Sequence, residues 1–312
     1  MKNLTPAVAD TKTFPDEKSY PNVRTRLKTL ASLFKLRIVL LLLISALGGA
    51  SLGAGGWPGG QALVLLVVTG GLSAAGASAI NQYLERDRDA QMKRTRKRPL
   101  PAGAVNKPVW VLWVGSGMVI FAIALSAIFN PALAISNALG AVIYIGVYTI
   151  WLKPRTILNI VIGGAAGSMA VISGGAASHA WNEPGVLALA LLIFVWTPTH
   201  FWSLAMAYRH DYARADFPML PVKISMQKAA WWVAVHTLAT GFIAVLLALH
   251  PSLGIIYFIP VGLLSLQYLF LTVRLIRIPE EKLALSLFKY SNIYLGIVQL
   301  FIIFLPLFRL PL

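Results

Sequence analysis

The hydrophobic and polar positions of this 312-residue chain form long apolar stretches separated by polar connections. Nine stretches lack Asp, Glu, Lys and Arg, and each approaches the roughly 20 residues that cross a bilayer as a helix. Backbone groups in hydrocarbon must bond within their own segment, so the pattern predicts nine transmembrane helices. Their predicted limits are 38–57, 62–84, 109–129, 132–151, 157–177, 186–206, 229–249, 254–273 and 291–308.

The composition agrees with a membrane protein. Only 12% of the residues are charged, and the mean hydropathy is +0.72, whereas soluble proteins carry about 25% charged residues. Transmembrane β-strands of about 10 residues would alternate polar and apolar positions, which these stretches do not. We therefore predict an all-α polytopic membrane protein. The absence of cysteine excludes disulfides, thiolate metal sites and cysteine nucleophiles.

Lys and Arg gather on one side of the predicted membrane. If the N-terminus is cytoplasmic, 26 of the 27 Lys and Arg residues are cytoplasmic, and only Arg309 lies outside. This is the distribution expected from the positive-inside rule, and it explains the net charge of +16 without a nucleic-acid partner. We predict a polar cytoplasmic tail over 1–34 and a single transmembrane domain over 35–312.

The most informative polar segment follows the second apolar stretch. Steps of four residues advance about 400° around a helix, so Asn81, Glu85 and Asp89 share one face if that helix continues. Asp87 lies off this face. Amide and carboxylate oxygens are the hard ligands that Mg²⁺ prefers, and a helix C-terminus favours a cation. The spacing predicts a metal site at the membrane surface.

A run of basic residues follows these acids, and such side chains bind phosphate oxygens. A plainer interpretation is membrane anchoring with local ion pairs, such as Glu85 with Arg88 or Asp89 with Lys93. That interpretation accounts for the basic residues but not for Asn81 at the membrane edge. The basic residues are Lys93, Arg94, Arg96, Lys97 and Arg98.

A second acidic segment follows the sixth stretch, and its Asp211 and Asp216 are candidates to face the first segment across a cavity. Their spacing of five requires a turn between them. His200, near the end of that stretch, is either a ligand or a hydrogen-bonded packing residue, because polar groups at membrane depth usually line cavities. Lys153 is a candidate for leaving-group stabilisation, and Asn159 for a donor that lines the cavity.

Four motifs occur in order along the chain, and together they are far more specific than any one alone. They are Asn81-x-x-x-Glu85-x-x-x-Asp89 with Met92, Arg94-Thr95 and Arg98-Pro99; Tyr148-Thr-Ile-Trp-Leu-Lys153; His200-Phe-Trp-Ser-Leu-Ala205; and Asp211-Tyr-Ala-Arg-Ala-Asp-Phe-Pro-Met-Leu-Pro-Val222.

These motifs resemble the UbiA-type intramembrane prenyltransferases and, within them, the haem-farnesylating branch (protoheme IX farnesyltransferases, or haem O synthases). The resemblance covers roughly residues 30–308. Two departures stand out: Glu85 replaces a usual Asp, and His210 stands where an acid is common. The resemblance implies nine helices around a central lipid-open cavity, in the cell (inner) membrane of a bacterium, with the active site at the cytoplasmic face.

The resemblance also implies the reaction, in which farnesyl diphosphate donates its farnesyl group to a vinyl group of haem b. Further implied partners are the lipid bilayer and either haem A synthase or terminal oxidase assembly components. The residues implied for each role are Asn81, Glu85, Asp89, Asp211 and Asp216 for Mg²⁺; Arg94, Arg98, Lys153 and Arg209 for the diphosphate; and His200, Asn159 and Tyr148 for haem.

Other functions remain open at this stage. A related prenyltransferase would act on a quinone precursor or another aromatic acceptor. A secondary transporter would also have many helices, but its charged or interrupted sites lie near the midplane, whereas these ionisable residues gather at one surface. An oxidase assembly factor that binds haem without chemistry gives no reason for the Asn81, Glu85 and Asp89 spacing.

Overall fold

The structure is a computed structural model that describes residues 22–308. Within this range nine helices are long and apolar enough to cross a membrane, which confirms the predicted number. Three shorter helices accompany them. In chain order the elements are α1 (Val23–Leu33), α2 (Leu36–Ala54), α3 (Gly60–Gln91), α4 (Val109–Phe129), α5 (Pro131–Leu152), α6 (Asn159–Ala177), α7 (Pro184–Ala207), α8 (Arg209–Arg214), α9 (Leu220–Lys223), α10 (Met226–Leu249), α11 (Gly254–Arg277) and α12 (Glu281–Phe308).

Two transmembrane helices extend beyond a predicted limit by seven residues or more. Helix α3 continues to Gln91 rather than ending at 84, and α12 begins at Glu281 rather than at 291. The predicted limits were set by the apolar stretches, but a helix continues beyond the hydrocarbon where its charged side chains reach water. The extension of α3 contains the acidic residues Glu85, Asp87 and Asp89, which therefore lie on a regular helix.

Part of the predicted N-terminal tail is helical. Helix α1 occupies Val23–Leu33, and residues 1–21 of that tail and Arg309 lie outside the described residues. The chain changes direction between α1 and α2 at Lys35, which has φ 48° and ψ 46°. This left-handed conformation is uncommon for a residue with a side chain.

Small residues let α2 and α6 pack closely. A Cβ at Gly174 would overlap the carbonyl oxygen of Ala46, and one at Gly49 would overlap that of Val171. Small residues at such contacts are typical of membrane helices, because close approach maximises van der Waals packing. Helix α2 also packs on α12, so it connects α6 to the last transmembrane helix.

Helix α3 packs on α4 and on the last part of α5, where Val142–Leu152 adopts π-helical geometry. The wide turn ends at Lys153, whose N–H donates to the carbonyl oxygen of Tyr148 at 2.8 Å. Such π-helical segments occur frequently at functional sites. Here the segment brings the polar end of α5 against the acidic face of α3.

Candidate active site

The predicted acidic face of α3 is present and turned inward. Asn81, Glu85 and Asp89 are only 2%, 6% and 3% exposed, whereas the side chain of Asp87 is 83% exposed. The helix continues regularly through all four positions, as the spacing requires. Buried carboxylates need partners, because an unpaired buried charge is strongly unfavourable.

Each of these three buried side chains pairs with a Lys or Arg from another part of the chain. These contacts replace the local ion pairs considered above. Because the cations come from other parts of the chain, the fold rather than α3 alone brings them to the acidic face. The donor–acceptor pairs are Lys35 Nζ to Asn81 Oδ1 at 2.8 Å, Lys153 Nζ to Glu85 Oε1 at 2.5 Å, and Arg98 Nη1 to Asp89 Oδ2 at 2.6 Å.

The second acidic segment reaches the first through Asp211. This side chain is 6% exposed, and its Oδ2 accepts a hydrogen bond from the backbone N–H of Arg94 at 3.1 Å. Its Oδ1 accepts from Arg214 Nη1 at 3.3 Å. The guanidinium of Arg94 lies against Tyr212, with Nη2 donating to the hydroxyl oxygen at 3.4 Å. The two segments therefore meet at one end of the bundle.

Other predicted residues are not brought to this cluster. Asp216 is exposed, has φ 50°, and makes no ion pair with any described residue. Arg209 begins α8 and is half-buried, without a hydrogen bond to the described acids. Lys93, Arg96 and Lys97 are exposed. Of the five basic residues after α3, only Arg94 and Arg98 contact the acidic cluster.

Sequence reasoning missed an aromatic residue of the second segment that contacts cations of the site. Phe217 is 3% exposed, with Lys153 Nζ 4.6 Å and Arg88 Cζ 4.9 Å from its ring centroid. Cations at such distances over an aromatic face are attracted by the ring quadrupole. Asp216, which has the left-handed backbone conformation, immediately precedes Phe217, and the Phe217 ring points inward after this turn. An aromatic residue in a loop gives no sequence signal for this contact.

Lys35 is a second residue that sequence reasoning treated only as a topological charge. Besides Asn81, its Nζ donates to the hydroxyl oxygen of Tyr144 at 3.2 Å. Burial, together with the nearby charge of Arg98, lowers the pKa of Lys35 to about 7. The Asn81 amide is oriented from its other side, since its Nδ2 donates to Thr149 Oγ1 at 3.0 Å.

Of the two residues Tyr148 and Asn159, both predicted to contact haem, Tyr148 lies beside Lys153. The ring of Tyr148 stacks on Tyr144 with centroids 6.0 Å apart and lies 5.5 Å from Lys153 Nζ. Asn159 is fully buried, and its Nδ2 donates to the carbonyl oxygen of Thr156 at 2.5 Å. Its Oδ1 has no hydrogen-bond partner among the described residues.

The two histidines of the second region have opposite surroundings. His200 is half-buried, its Nδ1 lies 2.9 Å from Ser291 Oγ, and its ring stacks on Trp196 with centroids 4.3 Å apart. His210 is 86% exposed and lies 3.9 Å from Glu281. These contacts are those of a packed histidine, and they leave the second ring nitrogen of His200 free of hydrogen bonds within the described chain.

The donor set fits a divalent metal that shares its coordination with a substrate. No group of three or more His, Asp or Glu residues within 22–308 is placed to enclose a metal ion. Mg²⁺ is commonly bound by one or two carboxylates together with waters and substrate phosphates, which matches buried oxygens spread over two segments. An apolar groove of about 530 Å³ lies elsewhere, between α10 and α11.

The UbiA prenyltransferase family matches residues 42–293, a range that includes both acidic segments. This chain belongs to that family. The match extends over most of the transmembrane domain and begins after Lys35. Membership agrees with the resemblance carried by the four sequence motifs.

Relatives within the UbiA family carry a more specific name. A protoheme IX farnesyltransferase of Metallosphaera sedula is 40% identical over 90% of this chain and 97% of its own length. That of Saccharolobus islandicus is 41% identical over 92% and 99%. That of Desulforudis audaxviator is 36% identical over 81% and 78%.

Solved structures of the UbiA family share the fold. A digeranylgeranylglyceryl phosphate synthase aligns with a TM-score of 0.76 and 18% identity, covering 91% of this chain and 99% of its own. A UbiA homologue of Archaeoglobus fulgidus bound to DMAPP and Mg²⁺ aligns at 0.65 and 16%, covering 88% and 99%. These alignments show the shared fold; the nine apolar helices within residues 22–308 and membership of the UbiA family indicate a multi-pass membrane protein.

Proposed function

We propose that this protein transfers the farnesyl group of farnesyl diphosphate to a vinyl group of protohaem IX, giving haem O and diphosphate. The product is the haem of haem–copper oxidases, so the proposed role is oxidase assembly in the cell membrane. The observation that carries the proposal is the buried face of Asn81, Glu85 and Asp89, with the buried Asp211 hydrogen-bonded to the backbone of Arg94 in the segment that follows α3. The relatives named protoheme IX farnesyltransferase support this acceptor over a quinone precursor.

In this proposal the four oxygen-bearing residues of the cluster hold Mg²⁺ together with the diphosphate. When bound, the metal offsets the negative charge that develops on the leaving diphosphate. The cations Lys153 and Arg98 already lie 2.5 and 2.6 Å from carboxylate oxygens. Phosphate oxygens offer the same cations equivalent charge-assisted hydrogen bonds. The diphosphate would therefore replace the carboxylates as the partner of Lys153 and Arg98.

The bond changes follow from ionisation of an allylic diphosphate. The C–O bond to diphosphate breaks, and its electron pair leaves with the diphosphate. The vinyl group of haem then supplies the electrons for a new C–C bond to the farnesyl carbon. Water adds to the remaining cationic vinyl carbon and loses a proton, which leaves a hydroxyethylfarnesyl side chain. Phe217 and Tyr148 border the site with aromatic faces, which exclude water from the cation before this step.

The topology belongs to the same proposal. The acidic face lies at the end of the bundle where Lys35, Arg98 and Lys153 contact it, and the sequence has most of its Lys and Arg in the connections predicted on this side. By the positive-inside rule this end would face the cytoplasm. Both substrates would then enter from the cytoplasm or the inner leaflet. The N-terminal segment would lie in the same compartment.

The decisive experiment incubates purified protein with farnesyl diphosphate, Mg²⁺ and haem b, with mass spectrometry of the extracted haem. We expect a haem heavier by one farnesyl group and one hydroxyl group, together with released diphosphate. Diphosphate release only with a quinone precursor would favour the other acceptor class. Transport of a solute without diphosphate release would overturn the prenyltransferase assignment.

A further inference from the structure

Lys35 has a backbone conformation that its residue type does not favour. Its φ of 48° and ψ of 46° are left-handed, a region that costs a residue with a Cβ roughly 1–2 kcal/mol. Such outliers persist where the surroundings over-determine them, and they concentrate at functional sites. The residue lies before the range 42–293 that matches the family.

The side chain of Lys35 points into the protein. A Lys at the end of a transmembrane helix usually extends its ammonium to the membrane surface. The ammonium of Lys35 instead donates to Asn81 Oδ1 at 2.8 Å and to the Tyr144 hydroxyl at 3.2 Å. Arg37, two residues further along, is exposed and shows the usual placement.

The turn that presents Lys35 is fixed from α3. Gln82 Nε2 donates to the carbonyl oxygens of Ser32 and Leu33 at 2.9 and 2.6 Å, and Gln82 itself is 1% exposed. These two bonds tie the C-terminal end of α1 to the residue that follows Asn81. The contact between Lys35 and Asn81 is therefore held by the same helix that supplies the acidic face.

A metal ion and the Lys35 ammonium compete for the amide oxygen of Asn81. A metal bound to this oxygen would lie next to the Lys35 ammonium, and two cations so close repel each other. A metal that takes Asn81 must therefore displace Lys35. A diphosphate that arrives with the metal gives the displaced ammonium a new anionic partner at the same site.

We propose that Lys35 is a counter-cation that opposes binding of the metal alone and binds the diphosphate of the metal–diphosphate substrate. This role rests on the proposed function, because it needs a diphosphate at the acidic face. It makes metal and substrate bind together rather than the metal first. Lys35 then belongs to the diphosphate site with Lys153 and Arg98.

The test compares Lys35→Met with Arg37→Met, which removes the same charge from the exposed neighbour. Mn²⁺ binding to purified protein is followed by electron paramagnetic resonance, first alone and then with farnesyl diphosphate. For Lys35→Met we expect Mn²⁺ alone to bind about three- to tenfold more tightly, because the opposing charge is gone. Farnesyl diphosphate should bind about tenfold or more weakly. Arg37→Met should match the wild type in both titrations.

The opposite signs distinguish this role from a structural one. Weaker binding of both Mn²⁺ and farnesyl diphosphate would mark Lys35 as packing, and unchanged binding of both would place it outside the site; either result overturns the proposal. Lys35→Gly, which removes the charge and accepts the left-handed backbone, repeats the test should Lys35→Met fail to fold. If the wild type binds Mn²⁺ but no farnesyl diphosphate, the proposed function fails instead.

Discussion

The two acidic regions of the molecule, residues 81–98 and 200–217, carry similar residue types but organise them differently. In the first region one helix holds three buried side chains on one face, and each pairs with its own cation. In the second region the two acids lie in different surroundings, since Asp211 is buried and Asp216 is exposed. The first region presents an ordered, buried polar face, and the second contributes one buried carboxylate that bonds to the backbone of Arg94.

The difference follows from backbone geometry. A regular helix converts a spacing of four into a shared face, so α3 places its oxygens without further help. The second region changes direction between α7 and α8 and again at the left-handed Asp216. Each turn resets which side chains point inward. Whether an acidic residue can act at the site therefore depends on its position in the fold rather than on its residue type.

The largest effect should come from removing a carboxylate of the first face. Asp89→Ala should lower farnesyl transfer by about 10²–10³-fold or more, since it removes a group that organises charge stabilisation at the leaving diphosphate. Asp87→Ala is the matched control, because that carboxylate lies two positions away with its side chain 83% exposed. Product formation per mole of membrane-inserted protein measures both variants. Equal activity of Asp89→Ala and Asp87→Ala would show that the buried face of α3 matters no more for farnesyl transfer than its exposed side.

Much of the first region was predictable from the sequence, because a helical repeat needs only local information. The number of transmembrane helices and the inward face of Asn81, Glu85 and Asp89 followed from hydrophobic length and spacing alone. The partners of these residues did not. Lys35 and Asn81 are 46 positions apart, and Lys153 and Glu85 are 68 positions apart.

The missed residues share a physical reason. Lys35 was counted only as a charge that sets topology, since its inward direction depends on a left-handed turn held by Gln82. Phe217 enters the cluster through tertiary packing against Lys153. The family resemblance includes Asp216 among the metal ligands, whereas the structure leaves its side chain exposed. Charge and composition place such residues near a surface, but backbone turns decide whether they face the site.

A middle-sized effect should separate the two histidines of the second region. We expect His200→Ala to weaken haem b binding by about tenfold, because it removes a half-buried ring whose second nitrogen is free for a ligand. Binding of farnesyl diphosphate should change by less than about twofold. His210→Ala is the control, since its side chain is 86% exposed. Absorbance titration with haem b and a radiolabelled diphosphate assay give the two affinities.

Equal loss of both affinities in His200→Ala would point to packing, because the ring also stacks on Trp196 and meets Ser291. The histidine would then hold α7 against α12 without touching the acceptor. Loss of haem binding in His210→Ala instead would move the acceptor site to the exposed side of the second region.

The smallest effect tests Asp216 directly. Because this residue has φ 50°, Asp216→Gly should relieve backbone strain and keep farnesyl transfer within about twofold of the wild type. Asp216→Ala should keep similar activity but lower the thermal midpoint in detergent by about 2–4 °C, since Ala lacks the short polar side chain with which Asp tolerates this conformation. A metal ligand would behave otherwise, because both variants would lose activity as severely as Asp89→Ala. Retained activity in both would assign Asp216 to the turn that precedes Phe217 and leave Asp211 as the only acid of this region in the active site.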